Sequence, residues 1–303
     1  MKRMLFACLA LCLAFSAAAL TYDLPNEGSR LIGGNQWHTV QKGETVAMIA
    51  EHYQVGFLAM MAANKEVDPF LPKPGTKLLI PTQILLPNAE YQGVVVNLAE
   101  LRLYYFHPDS RKVDVFPIGI GRIGRETPEM KTVVSQKREK PTWTPTQNIR
   151  NEYAAKGVIL PKVVPAGPEN PLGEYALRLA YGSGEYLIHG TNKEFGVGLR
   201  VSSGCIRLFP KDIEYLFKQV ALNTPVRIID QSIKHSAEPN GEYLLEVHQP
   251  LNRSIEEVHQ ATSLKLTRED IKFVTQTGVD SAIVNQALKN QQGIALLVGE
   301  KRG

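Results

Sequence analysis

Apolar residues recur at two spacings along the chain, and the change from one spacing to the other divides it into units. Between Gln36 and Thr82 a short strand is expected at His38 to Val40, with a turn at Lys42-Gly43. A helix follows through Tyr53, capped by Thr45 and carrying Val46, Ile49 and Ala50 at helical spacing. Val55-Gly56 interrupts it, a second short helix fits Leu58 to Asn64, and Pro72, Pro74 and Gly75 lead into a strand at Lys77 to Ile80. This is a small βααβ module, and Pro81 to Tyr91 reads as a linker behind it.

From Gly93 onward the period shortens to two. Strands are expected at Gly93 to Leu98, Leu101 to Phe106 and Lys112 to Ile118, with a tight turn at Ala99-Glu100. The proline- and aromatic-rich stretch to Pro171, with Pro141, Trp143 and Tyr153, suits a cleft wall or lid. Strand pattern returns at Glu174 to Ala180 and Glu185 to Gly190. A helix is expected over Lys211 to Ala221, with Ile213, Leu216, Phe217 and Val220 inward, and a closing strand at Pro225 to Ile229. The middle unit, residues 91–230, is therefore a mainly β, two-layer domain with a short helix. Residues 231–303 suggest a small α/β region: a strand at Glu242 to Val247, helices at Arg268 to Thr275 and Asp280 to Lys289, and a last segment at Ile294 to Val298. No chemistry attaches to it.

Composition narrows the class. The chain has 303 residues, 44% hydrophobic and 21% charged, enough for two or three domains and typical of a globular protein. Its net charge of +4 includes Lys2 and Arg3, so the balance gives no case for nucleic acid. Residues 1–19 run from a basic start through an apolar stretch to small residues ending at Ala19, the layout of a cleaved secretory signal peptide. Cleavage there removes Cys8 and Cys12 and leaves Cys205 as the lone cysteine of an exported chain, where an internal disulfide is impossible. The glycines at 119, 121 and 124 lack the ending of a phosphate loop, and Arg122, Arg125 and Lys131 suit solvent or an anionic peptide. The seven histidines form no compact ligand motif, so neither a metal nor an organic cofactor is expected.

The most informative run is YLIHGTNKEFGVGLRVSSGCIRLFP, from Tyr186 to Pro210. His189 lies at a strand end, and Cys205 follows 16 residues later in a glycine turn, so the loop can return sulfur to imidazole. A thiolate is a strong nucleophile and a neighbouring imidazole can take its proton. Cys205 is thus the candidate nucleophile and His189 its acid/base partner. Gly204 permits the turn and offers, with Cys205, amides for an oxyanion, while Ser203 is expected to donate a hydrogen bond. Arg207 can bind a carboxylate or brace the turn. Asn192, Lys193 and Arg200 are weaker candidates for positioning a charged peptide, and Tyr175 and Trp143 for lining the cleft.

Two resemblances sharpen this. The TVQKGET, IAEHYQV, AANKEVDP and PGTKLLIP segments resemble a LysM module, which implies binding to the N-acetylglucosamine-containing backbone of peptidoglycan or chitin. By that resemblance Gly43, Glu44, Thr45 and Asn64 are groove candidates, although Thr45 and Asn64 serve equally well as caps; Met48, Met60 and Met61 read as packing groups. Gly93 to Asp230 resembles the YkuD-type L,D-transpeptidase catalytic domain of Gram-negative envelope enzymes, through IHGTN, GVGLRVSSGCIRL and an earlier Thr-Pro segment. The resemblance implies a periplasmic enzyme whose cysteine attacks a peptidoglycan tetrapeptide, releases its terminal D-alanine and passes the acyl group to an amine. The order of signal peptide, LysM and catalytic domain implies the lysine amine of an outer-membrane lipoprotein as acceptor. Direct crosslinking through diaminopimelate, hydrolysis of such linkages, and noncatalytic wall binding are the alternatives. Two departures stand out: Ser203 occupies the place where the family often has a turn histidine, and Met130 the place where a glycine is common.

Overall fold

The structure of the protein, a computed structural model, describes residues 20–252 and 264–301; the expected signal peptide lies outside the described residues. After β1 (Leu20–Asp23) and β2 (Leu31–Gly33) comes the βααβ module of β3 (Gln36–Thr39), α1 (Val46–His52), α2 (Phe57–Ala63) and β4 (Lys77–Ile80). Thr45 caps α1, its Oγ1 accepting the Met48 N–H at 3.2 Å. Val46, Ile49 and Ala50 turn inward onto Met60, Leu78 and Ile80, which leaves Met48 on the outer side of α1. Met48 is 56% exposed, so it is not the packing group expected, whereas Met60 is fully buried and Met61 packs at the core margin.

The expected linker is a packed segment. Within it β5 (Gln83–Leu85) pairs antiparallel with β2, and Ile84 and Leu86 join Ile32 against the sheet behind. Each such aliphatic side chain contributes roughly 1.5–3 kcal/mol on burial, enough to fix the segment.

The central domain comprises β6 (Gly93–Asn97), β7 (Arg102–Phe106), β8 (Lys112–Pro117), β9 (Ile120–Gly121), β10 (Met130–Glu139), α3 (Gln147–Ala155), β11 (Tyr175–Leu179), β12 (Leu187–His189), β13 (Arg200–Ser202), β14 (Ile206–Arg207), α4 (Pro210–Gln219) and β15 (Pro225–Ile229). Nine strands form one sheet in the order β1-β8-β7-β6-β15-β10-β11-β12-β14. The period of two explains its two cores. Val94, Val96, Leu103, Tyr105 and Phe116 face α4, whose Ile213 and Leu216 point inward, while Val95, Tyr104, Phe106, Val113 and Val115 face the segment around β2 and β5. Burial on both faces is why β6 and β7 read as nearly unbroken apolar runs. Met130 is buried at the start of β10, opposite Ile228, so this departure from the family pattern fills core space.

The C-terminal unit is a three-stranded antiparallel sheet, β16 (Ile233–Ala237), β17 (Glu242–Val247) and β18 (Leu296–Glu300), under helices Arg268–Val274 and Ser281–Asn290. It has its own core around Leu245, Phe273, Val284 and Val298. A buried ionic cluster joins it to the central domain. Lys234 Nζ reaches Glu100 at 2.8 Å and Glu246 at 2.9 Å, Arg102 reaches the same carboxylates at 3.1 and 3.4 Å, and His248 meets Glu246 at 2.6 Å. Glu100, Glu246 and His248 have the grouping of metal ligands, but the two carboxylates already face two side-chain cations in that space.

Candidate active site

The pairing of β12 with β14 builds the site. The strands run parallel, with Ile188 opposite Ile206 and His189 opposite Arg207. Residues opposite one another, and residues two apart on one strand, share a face of the sheet. His189 and Arg207 therefore face the same way, and Cys205 immediately precedes β14 with its sulfur against the main chain of Glu185 and Leu187 at β12. Diagonal neighbours across such a pair lie about 7–8 Å apart at the backbone, a gap that long side chains can close. Arg207 acts electrostatically on both His189 and Cys205, in keeping with that placement.

His189 is buried, and its Nδ1 lies 2.5 Å from the Gly190 carbonyl oxygen. A carbonyl only accepts, so Nδ1 carries the proton and Nε2 keeps its lone pair. Burial, then the Arg207 charge, draws the imidazole pKa down to about 3, against the Gly190 and Leu172 carbonyls that favour the charged ring. Burial pushes the Cys205 thiol up, and the Glu185 carboxylate adds to this; the Leu187 amide and Arg207 oppose them without reversing the direction. The resting pair is thus neutral thiol and neutral imidazole. The thiol hydrogen points to the Glu185 carbonyl at 3.5 Å.

The cysteine turn is held by a different serine from the one expected. Ser203 is exposed, whereas Ser202 is buried, donates from Oγ to the Cys205 carbonyl at 2.6 Å and accepts the Gly204 N–H at 3.2 Å. The Gly204 amide is therefore committed to Ser202, which leaves the Cys205 amide as the candidate oxyanion donor of this pair. Gly204 adopts φ +103°, a conformation glycine takes without strain, and this lets the chain turn from Ser202 to Cys205. Thr127 completes the support, donating to the Gly204 carbonyl at 2.9 Å and accepting the Gly121 N–H at 3.0 Å. Nothing in the Thr-Pro segment marks Thr127 for this role, whereas a hydroxyl two residues before a glycine turn is the signal for Ser202.

The remaining candidates divide. Arg207 is half-buried, its main chain exchanging hydrogen bonds of 2.8 and 2.9 Å with Gly119, and its buried Nε has no partner among the described residues. Arg200 donates to the Asn252 carbonyl at 2.8 Å and lines an adjoining cavity of about 450 Å³ with Thr127, Glu129 and Leu251. Asn192 is exposed and ties its loop to the Pro168 carbonyl at 2.9 Å; Lys193 is exposed beside it. Tyr175 is not a cleft residue: its neighbour Ala176 opposes His189, so the Tyr175 ring projects from the other face and packs on Phe217 at 4.9 Å.

Residues 140–171 stand over this region. Trp143 pairs with Val164 through two main-chain hydrogen bonds of 2.8 and 2.9 Å, and the fully buried Asn170 staples the base by donating to the Pro141 and Pro165 carbonyls. Helix α3, capped by Thr146, was not expected because none of its residues is buried and no apolar stripe marks it. Glu152 on α3 pairs with Arg122 and Arg125, and Tyr153 acts on Arg207.

In the first module, Asn64 is a bracket between α2 and β4: its amide donates to the Met60 and Leu79 carbonyls, both at 2.9 Å, and its oxygen accepts the Leu79 N–H at 2.8 Å. Thr45 serves as a cap through one acceptor site of its hydroxyl, and its O–H donor remains on the partly exposed surface. Glu44 accepts from the Gln41 amide at 2.7 Å and meets His38 at 2.8 Å, contacts that hold its carboxyl below the usual range, while Gly43 is exposed in the turn.

The chain thus combines a βααβ module, a central sheet whose edge brings imidazole, thiol and guanidinium into one region, and a strand-helix C-terminal unit, and comparison with known proteins gives the class. Residues 38–81 match the LysM domain, residues 91–228 the L,D-transpeptidase catalytic domain and residues 232–298 the L,D-transpeptidase C-terminal domain. The chain belongs to the L,D-transpeptidase family and is an enzyme of that kind. It is 50% identical over 288 residues to "Probable L,D-transpeptidase YcfS" of Escherichia coli K12, covering 94% of this chain and 90% of that protein. It is 48% identical to "Probable L,D-transpeptidase ErfK/SrfK" of the same organism, covering 93% and 92%.

Proposed function

We propose that this enzyme works in the periplasm, that Cys205 is its nucleophile, and that it transfers a peptidoglycan tetrapeptide to the lysine amine of an outer-membrane lipoprotein. The observation carrying the chemistry is the position of Arg207, which is opposite His189 across β12 and β14 and acts on both the His189 imidazole and the Cys205 thiol. Neutral His189 takes the thiol proton through Nε2 as sulfur attacks the carbonyl preceding the terminal D-alanine. The Cys205 amide donates to the oxyanion, D-alanine leaves with the proton held by His189, and the thioester then meets a neutral amine. Attack by that amine, again with His189 accepting a proton, releases the thiol and forms the amide link. Support for the lipoprotein acceptor comes from the signal-LysM-catalytic order together with a C-terminal unit clamped to the catalytic domain. Glycan binding rests on the exposed Gly43 turn and on exposed Phe70 and Leu71, whose loop joins α1 where the Pro69 carbonyl accepts the Val46 N–H.

The test supplies tetrapeptide donor together with a lysine-terminated lipoprotein peptide and a diaminopimelate-containing stem, and weighs the products. A lysine-linked product with released D-alanine is expected; a product joined only through diaminopimelate overturns the acceptor.

Arg207, a partly desolvated cation acting on both His189 and Cys205, suits the donor's terminal carboxylate. R207A is expected to raise the donor KM by about 10- to 100-fold, the worth of one charged hydrogen bond. The penalty should disappear for a donor whose terminal carboxylate is amidated. Equal penalties for both donors would return Arg207 to a purely bracing role.

A further inference from the structure

The loop between His189 and Cys205 is touched from outside the catalytic domain. Gly198, within that loop, adopts φ +79° and packs against the start of α2 in the LysM module. A Cβ on Gly198 would lie 2.4 Å from the Phe57 nitrogen and 2.8 Å from the Gly56 Cα, so only glycine permits this approach of backbone to backbone. The Leu58 N–H points to the Gly198 carbonyl at 3.4 Å, and Gly56 also abuts Pro117 of β8.

From Gly198 a short hydrogen-bonded strip leads to the thiol. The Gly198 N–H donates to the Ile118 carbonyl at 3.1 Å, and the Ile120 N–H donates to Leu199 at 3.0 Å. These bonds start the parallel pairing of β13 with β9 that carries Ser202, the residue bracing the Cys205 turn. In the same strip Gly119 exchanges two hydrogen bonds with Arg207. A shift at Gly198 is therefore transmitted to both the serine under Cys205 and the guanidinium beside it.

We propose that the LysM module is a positioning element of the transpeptidase site: the start of α2, seated on Gly198, holds the strand that sets the Cys205 turn. A module that only tethers the enzyme to glycan would need no contact with this loop. The inference rests on the reading of Cys205 as nucleophile, and it makes the module matter even for a donor too small to reach it.

Gly56 gives the cleaner test, because its φ of −66° and ψ of 141° suit any residue and it lies outside the catalytic domain. A Cβ there would meet the Gly198 Cα at 3.3 Å, so G56L wedges the two apart and G56A asks a shift of a few tenths of an ångström. Using a glycan-free tetrapeptide donor and the full chain, G56L is expected to lower kcat for D-alanine release about tenfold, since small misplacements of reacting groups are costly. Donor KM and retention on insoluble glycan should stay within about twofold, and G56A should lie between G56L and wild type. Thermal unfolding checks that each variant folds; an unchanged kcat in whichever variant folds overturns the proposal. Loss of glycan retention alongside the kcat loss also overturns it, by tracing the effect to a damaged module. Wild type that releases no D-alanine, or C205A that still does, would instead sink the nucleophile reading.

Discussion

Replacing Cys205 by alanine is expected to lower D-alanine release by at least about 10⁴-fold, the scale on which loss of a catalytic nucleophile is felt. Binding of insoluble glycan and the thermal unfolding midpoint should be preserved. Residual turnover within a hundredfold of wild type would remove Cys205 from the chemistry. The protonation states add a second measurement of the same residue. Because burial pushes the thiol up and pulls His189 down to about 3, the neutral pair is favoured over thiolate and imidazolium. Alkylation of Cys205 should then climb with pH toward the alkaline side, with no plateau beginning in acid. A plateau from mildly acidic pH would mean a preformed ion pair and a different resting state. Arg207 lowers the thiol pKa, so R207A should displace the alkylation curve further toward alkaline pH. The sign follows from removing a cation that favours the thiolate.

The parts of this fold that were legible in the sequence are those whose burial is one-sided or complete. α1 and α4 carry apolar residues at helical spacing, and β6, β7, β15 and β17 are apolar runs bounded by turn residues, so each appears where its pattern lies. β10 and α3 were missed because most of their residues face solvent, and the pairing that fixes β10 comes from strands distant in sequence. β1, β2 and β5 are three or four residues long and owe their order to the second face of the central sheet, which no local pattern announces. At the site, chemistry was easier to read than support. Cys205 and His189 are rare residue types in a specific spacing, whereas Ser202 and Ser203 look alike in sequence, and only the folded turn buries the first and exposes the second. Asn64 and Tyr175 have side chains suited to ligands, and only the folded chain shows the first bridging α2 to β4 and the second turned to the helix side of its sheet. β16 was missed for a related reason: its Lys234 reads as a surface residue, yet it is fully buried.

That lysine carries the largest expected effect on stability. Lys234 is shared by Glu100 and Glu246, and it also donates to the Leu85 carbonyl. Glu246 in turn accepts the Leu85 N–H at 2.7 Å, and Arg102 donates to the Pro81 carbonyl at 3.2 Å, so three parts of the chain meet there. K234M keeps the apolar stem and removes the charge, leaving two buried carboxylates facing one guanidinium. Stranding a buried charge in this way costs about 3–5 kcal/mol, and the unfolding midpoint should fall by roughly 10 °C. The pH dependence has a definite sign. Burial works to raise the Glu246 carboxyl, but Lys234, His248 and Arg102 outweigh it and hold the group well below its ordinary 4.5; Glu100 is lowered as well. A depressed carboxyl contributes stability that is fully present above the unfolded pKa and is lost as pH falls toward the folded one. Wild type should therefore lose stability steeply below about pH 4.5. K234M, whose carboxyls have lost their main counter-charge, should start lower at neutral pH and converge on wild type in acid. Hydrogen exchange should show β16 and β17 opening first in K234M, because the cluster joins the C-terminal sheet to the catalytic domain. The double variant K234M/E246Q should recover part of the loss by removing the stranded charge; full wild-type stability in K234M alone would show that the cluster does not hold these units together.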